Sequence, residues 1–206
     1  MSTPNPPGTP KVPRMPTDEG DIWRLSVDRY ERMVGAGVIT PDDRVELLEG
    51  ILVNKMSKSP AHVLGTILVN DAIRAILPSG WFVRTEQPLR MDDSEPEPDA
   101  AVIRGQARLY GGRHPIPAEV PLIIEVADSS LRRDREDKRR IYARNAIAVY
   151  WIVNVADRLI DVYTDPSGPV LTPDYATTTT YKPGDPVPVA LAGTTIGTVN
   201  VNDLLP

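Results

Sequence analysis

Hydrophobic positions in this chain fall into short runs broken by turn residues, with three stretches of helical spacing set between them. From Ser26, a good N-cap, the apolar residues Tyr30, Met33 and Val34 share one face and predict a helix that ends in Gly35-Ala36-Gly37. Pro41-Asp42-Asp43 reads as a turn. Residues 44–56 carry two apolar runs around Glu49-Gly50, the pattern of a β-hairpin. Ser59-Pro60 pairs an N-cap with proline at the first helical position. The helix it opens covers residues 61–77, with Leu64, Leu68, Ala72 and Ile76 as its apolar row, and stops at Pro78-Ser79-Gly80. Residues 81–91 predict a strand and 92–98 an acidic, proline-broken loop. Asp99 opens a further strand through Ile103, and 104–121 read as loop.

Residues 121–153 organise the rest. The run Leu122-Ile123-Ile124, Glu125, Val126-Ala127 is a buried strand with a carboxylate inside it. Removing the partner of a buried charge costs about 3–5 kcal/mol, so a partner is expected nearby. After the polar turn Asp128-Ser129-Ser130, residues 134–144 have helical spacing that places Lys138, Ile141 and Tyr142 on one face. Ile141 and Tyr142 would pack that face on the sheet and carry Lys138 towards Glu125. The pair is then either a structural ion pair or part of a reactive site. Tyr150-Trp151-Ile152-Val153 forms the next strand, and Asp157-Arg158 turns the chain into its partner at 159–163. Further on, 177–181 and 187–191 flank the turn Pro183-Gly184-Asp185, and 196–201 is a last strand. The tally is α/β: helices bracketing a mixed sheet, with extra β-hairpins at the C-terminal end.

Composition narrows the function. The chain has 206 residues, which fits one domain with a real core over residues 18–206. Residues 1–17, rich in proline, threonine and glycine, are expected to be a flexible arm. No apolar run reaches membrane-spanning length, and no secretory leader pattern is present. The chain has no cysteine, which removes disulfides, thiolate nucleophiles and cysteine–zinc sites. A cytoplasmic protein is the expectation. With only two histidines, His62 and His114, a metal would be held mainly by oxygen, favouring Mg²⁺ or a similar hard ion. The net charge of −5 argues against coating nucleic acid through bulk charge. Arg132, Arg133, Arg135, Lys138, Arg139, Arg140 and Arg144 still crowd one segment, either a solvated helix face or a phosphate-binding one.

Three features converge: Asp99 opens one strand, Glu125 sits in another, and Lys138 lies on the helix that follows. Two carboxylates on neighbouring strands can bind a divalent cation, and an ammonium beside them can orient a water or stabilise developing negative charge. That is equipment for metal-assisted phosphodiester hydrolysis. Glycosidase chemistry by paired carboxylates is disfavoured, because few aromatics are present to stack on sugar and Lys138 would be idle.

Arg44-Val45-Glu46-Leu47-Leu48-Glu49-Gly50, His62 after Ser59-Pro60, and Glu97-Pro98-Asp99 follow one another along the chain. These residues carry a resemblance to the Uma-two restriction endonuclease family, a branch of the PD-(D/E)XK nuclease superfamily. The resemblance continues through Glu125-Val126-Ala127-Asp128-Ser129-Ser130, Asp134, Arg135, Lys138, Tyr142 and Tyr150-Trp151-Ile152-Val153, and covers nearly everything from Ile22 onwards. It implies a restriction-endonuclease-like core and cleavage of DNA dependent on Mg²⁺ (or Mn²⁺), with Asp99 and Glu125 as metal ligands. The motif lysine two residues after the acid is replaced by Ala127, and the resemblance transfers its role to Lys138. Glu46 or Glu49 would supply a further acid, and His62 would reach the same pocket. A homodimer would serve to cut both strands. The alternative is a catalytically inactive nuclease-fold module that binds nucleic acid or protein. Family members carry Gly and Pro near Ala146 and Ala148, so Asn145, which tolerates the left-handed conformation, is expected to end the helix instead.

Overall fold

The computed structural model describes residues 22–206. The arm expected over residues 1–17 lies outside the described residues. Helix α1 (Val27–Gly35) begins at Ser26 as expected. A two-stranded hairpin follows, β1 (Val45–Leu48) and β2 (Ile51–Asn54), then helix α2 (Pro60–Ile76). Six strands form the central sheet: β3 (Trp81–Arg84), β4 (Ala100–Arg104), β5 (Leu122–Ala127), β6 (Val149–Asn154), β7 (Leu159–Pro166) and β8 (Tyr175–Tyr181), side by side in that order. All neighbours are antiparallel except β5 and β6, which are parallel. A parallel pair needs a crossover. Here it is helical: α3 (Leu131–Arg133) runs through a π-helical turn, Asp134–Lys138, into α4 (Arg139–Arg144). A separate hairpin, β9 (Pro186–Leu191) and β10 (Thr194–Asn200), completes the fold.

Strand alternation sorts side chains onto two faces. On β5, Leu122, Ile124 and Val126 join the core under α2 and the β9–β10 hairpin, while Ile123 and Ala127 join the core under α4. Glu125 has the parity of the α4 side. On β4, Ala100 and Val102 face the α2 side and Ala101 and Ile103 the α4 side, so Asp99 also has α4-side parity.

Four expectations needed correction. The strand expected over 81–91 ends at Arg84, because Glu86 takes a left-handed backbone (φ 54) and Pro88 has no N–H to donate. The buried row of α2 is Gly65, Val69 and Ile73, one position on from the expected row, and Leu64 is exposed. Gly65 sets that rotation: a Cβ there would stand 2.9 Å from Val126 Cγ1, so only glycine lets this helix come so close to the sheet. The crossover helix starts at Leu131, earlier than 134. Asn145 does cap it, with Nδ2 donating to the Ile141 carbonyl at 2.9 Å, but the left-handed residue is Ala146 (φ 54).

Candidate active site

The register of β4 and β5, with Ala100 opposite Ile124, places Asp99 beside Glu125 at one end of the sheet. Both are buried, and both line one cleft with Glu46, His62 and Lys138. The five residues singled out from the sequence are therefore neighbours in space. The Val126 N–H donates to Asp99 Oδ2 at 2.7 Å, tying the Asp99 carboxylate to β5.

His62 arrives from the first turn of α2. Ser59 Oγ accepts from the His62 N–H at 3.1 Å, as an N-cap should, and donates to Asp128 Oδ2 at 2.6 Å. The start of α2 is thereby fixed to the turn after β5. His62 Nε2 lies 3.0 Å from Asp99 Oδ1, yet it is buried without a properly aligned hydrogen bond. The Asp99 carboxylate raises the histidine pKa against the opposing effect of burial.

The crossover helix supplies the cation. Lys138 Nζ donates to Glu125 Oε1 at 2.9 Å, and the Tyr142 hydroxyl donates to the same oxygen at 2.7 Å. Among the described residues nothing donates to Glu125 Oε2. Lys138 Nζ also lies 3.9 Å from Asp134 Oδ1, one π turn earlier. Asp134 is held in turn by the Ser130 hydroxyl, and its carbonyl accepts from the Tyr150 hydroxyl. Burial pushes the Glu125 carboxyl well above the usual carboxylate range, and Lys138 works against that rise. Burial disfavours the Lys138 ammonium, but Glu125, Glu46, Asp134 and Asp99 outweigh it and hold the lysine charged.

Glu46 reaches the cleft from β1, accepting from the Glu97 N–H at 3.2 Å with Arg133 Nη1 4.0 Å away. Glu49 does not. It pairs with Arg140 and Arg144 on another surface, and Arg140 holds its pKa down. The basic segment is similarly divided. Arg135 binds Asp161, Arg139 binds Asp174 and Arg132 binds Glu136, while Arg133 lines the cleft.

Two members of this cluster had no assigned role in the sequence reading: Asp134, named there only within the resemblance, and Glu86. Asp134 stands four residues before Lys138, a readable signal. Glu86 had none, since it sat inside an expected strand. One ligand atom each from His62, Glu86 and Asp99 lie within 4.8 Å of one another, close enough to share a metal ion. The cleft as a whole favours a cation: Glu46, Glu86, Glu97, Asp99, Glu125, Asp128 and Asp134 face Lys55, Lys58, Arg133 and Lys138. Among the described residues no helix is long and apolar enough to cross a membrane.

A family model described as Uma2, "Putative restriction endonuclease", matches residues 27–199. A solved structure titled as a putative nuclease belonging to DUF820, from Anabaena variabilis, superposes with a TM-score of 0.67. It is 15% identical, and the match covers 87% of this chain and 97% of that one. At that identity the likeness concerns the fold. No curated protein matches the sequence.

Proposed function

The chain belongs to the Uma2 family, whose description is "Putative restriction endonuclease", and from that premise we propose that it is a metal-dependent endonuclease hydrolysing phosphodiester bonds of DNA. The observation that carries the reading is that Asp99, just before β4, and Glu125 of the adjacent β5 line one acidic cleft, with Lys138 Nζ 2.9 Å from Glu125. The excess of carboxylates over basic groups fits a divalent cation, as does the free Oε2 of Glu125. Asp99 and Glu125 would hold Mg²⁺ (or Mn²⁺), which supplies Lewis-acid polarisation of a phosphate and a more acidic bound water.

The remaining work falls to the chain. Lys138 is a fixed positive charge in a buried setting, where it stabilises negative charge growing on the phosphoryl oxygens or orients the attacking water. Tyr142 and Asp134 hold Glu125 and Lys138 at their posts. Glu46 adds a further acid, and His62 stands 3.0 Å from the second oxygen of Asp99. Arg133, which lines the cleft and donates through Nη1 to the Asn54 carbonyl at 2.8 Å, would meet a backbone phosphate. The proposal includes DNA in the cytoplasm as substrate and a homodimer for cutting both strands.

Nicking and cleavage of supercoiled plasmid with Mg²⁺ or Mn²⁺ tests it, wild type against Asp99→Ala. Cleavage by the wild type alone is the expected result. Nucleic-acid affinity that persists in EDTA, with no cleavage in either metal, would instead establish an inactive binding module.

A further inference from the structure

The cleft has two sides that share Asp99. On one side lies Glu125, whose Oε1 is occupied by Lys138 and Tyr142. On the other lie His62 and Glu86. We propose that His62, Glu86 and Asp99 form a cation position of their own, distinct from the Asp99–Glu125 pair, that takes Mn²⁺ in preference to Mg²⁺. The assignment deepens the nuclease reading and rests on it for its use in the reaction.

The geometry is that of ligands waiting on a shared ion. His62 Nε2 and Asp99 Oδ1 are 3.0 Å apart, but the imidazole makes no aligned hydrogen bond there, and Nε2 is buried with no other partner. Two ligands at right angles on a metal with bonds of about 2.1 Å stand roughly 3 Å apart. A close nitrogen–oxygen contact without hydrogen-bond alignment matches that spacing. Asp99 Oδ2 is already satisfied by the Val126 N–H, which leaves Oδ1 for the ion.

Glu86 is delivered by its backbone. Its N–H donates to the Pro98 carbonyl at 3.0 Å, locking it beside the residue before Asp99, and its left-handed φ of 54 turns the chain there. Its carboxylate is paired with Lys58 Nζ at 2.5 Å. Both side chains of that pair are more than a third exposed, so Lys58 can turn to solvent when a cation takes its place. Imidazole in the donor set shifts preference from hard Mg²⁺ towards transition ions, whereas an all-oxygen set would not.

The chain has only two histidines, which makes the test specific. His114 does not line this cleft; its Nε2 lies 3.8 Å from Glu95 Oε1. Mn²⁺ alone is added to tag-free, full-length protein. Its electron spin echo is examined for imidazole ¹⁴N coupling, and affinity is measured by titration. Folding is checked by circular dichroism. Wild type and His114→Gln should show the coupling, and His62→Gln should lose it, with Mn²⁺ affinity reduced on the order of tenfold or more. Glu86→Gln should weaken Mn²⁺ comparably and keep the coupling at saturation. Bound Mn²⁺ with no ¹⁴N coupling in the wild type overturns the proposal outright, whether or not any variant folds. So does coupling that survives in folded His62→Gln, or a wild type that binds no Mn²⁺. Coupling without plasmid cleavage would sink the nuclease reading and leave the metal position standing. Cleavage without coupling would do the reverse.

Discussion

The two faces of the central sheet are built from the same strands and treat polarity in opposite ways. Under α2, the core is aliphatic: Leu122, Ile124, Val126, Val149, Val153 and Ile160, with Trp151. Trp151 Nε1 is buried there without a partner, a cost of about 1–3 kcal/mol that this face carries for its packing. Under α4, four tyrosines stand among the apolar residues: Tyr142, Tyr150, Tyr163 and Tyr175. Tyr142 and Tyr150 meet edge to face at 4.9 Å, and Tyr150 stacks on Tyr163 at 5.6 Å. Three hydroxyls point at specific acceptors: Glu125, the Asp134 carbonyl and the Ile147 carbonyl. One face fixes the position of the backbone. The other uses rigid rings to present donors to buried charge, because an unsatisfied polar group there would cost more than the bond gains. The difference teaches where to look for chemistry: on the face that spends packing on hydroxyls.

The strongest way to break this contrast is to remove the cation on the polar side. Lys138→Ala should reduce single-turnover cleavage at saturating Mn²⁺ on the order of 10²–10³-fold, the size seen when one preorganised donor is lost. Lys138→Arg should rescue poorly, since a planar fork does not replace a compact ammonium. Cleavage by folded Lys138→Ala at the wild-type rate would reduce the lysine to a structural partner of Glu125.

Glu95, which bridges to Leu47 of β1 outside the central sheet, shows what burial does to a carboxylate with no lysine beside it. Burial, with Glu31 nearby and Arg90 opposing, raises its pKa to about 7. The unfolded chain ionises this group first, near its ordinary value of 4.5. Between those values the native state binds the extra proton, so the contribution is absent below about 4.5 and stability falls as pH rises towards 7. Glu95→Gln should abolish the fall. Urea unfolding should find the variant gaining on wild type by about 2–3 kcal/mol between pH 4.5 and 8, using about 1.4 kcal/mol per pH unit. An equal gap at both pH values would mean that Glu95 ionises normally.

Tyr142→Phe is the gentler probe of the face under α4. It deletes one hydroxyl and leaves the ring against Tyr150, so stability should fall by about 1.5–3 kcal/mol, the range for a hydrogen bond to a charged group. Turnover per folded molecule should fall too, because Glu125 loses one of its two restraints. An unaltered unfolding midpoint would show that Lys138 alone holds Glu125.

Much of this was legible in the sequence because it follows from local pattern. The strand around Glu125, the capped start of α2 and the convergence of Asp99, Glu125 and Lys138 all rest on burial and period, which one sequence displays. What escaped rests on backbone conformation and close approach. Glu86 joins the cleft because its left-handed residue ends β3 early, and a strand-like pattern hides that. The π turn between Asp134 and Lys138 has no signature in the residue types, although it sets how both acidic and basic side chains enter the cleft. The α2 row was misread by one position because glycine scores as no side chain at all, while here it is the point of contact.

That glycine gives the smallest effect and the finest test of the contrast. At Gly65 two terms compete. Alanine gains about 1 kcal/mol over glycine in a helix interior. Its Cβ would meet Val126 Cγ1 at 2.9 Å, and overpacking of a tight core costs about 1–3 kcal/mol. The loss should exceed the gain, and Gly65→Ala should be destabilised by about 1 kcal/mol in urea unfolding. Relief is available by moving α2 outwards, since Val126 is held by Val153 of β6 on one side and by its N–H to Asp99 Oδ2 on the other. His62 lies three residues before Gly65 on the same helix, so a shift of a few tenths of an ångström reaches the Asp99 contact. If the aliphatic face is only a scaffold, Gly65→Ala should lose stability and keep its turnover per folded molecule within about twofold. If turnover or Mn²⁺ affinity falls tenfold while the unfolding midpoint barely moves, α2 is a lever joining the two faces. The contrast between a positioning face and a chemical face would then fail at its hinge.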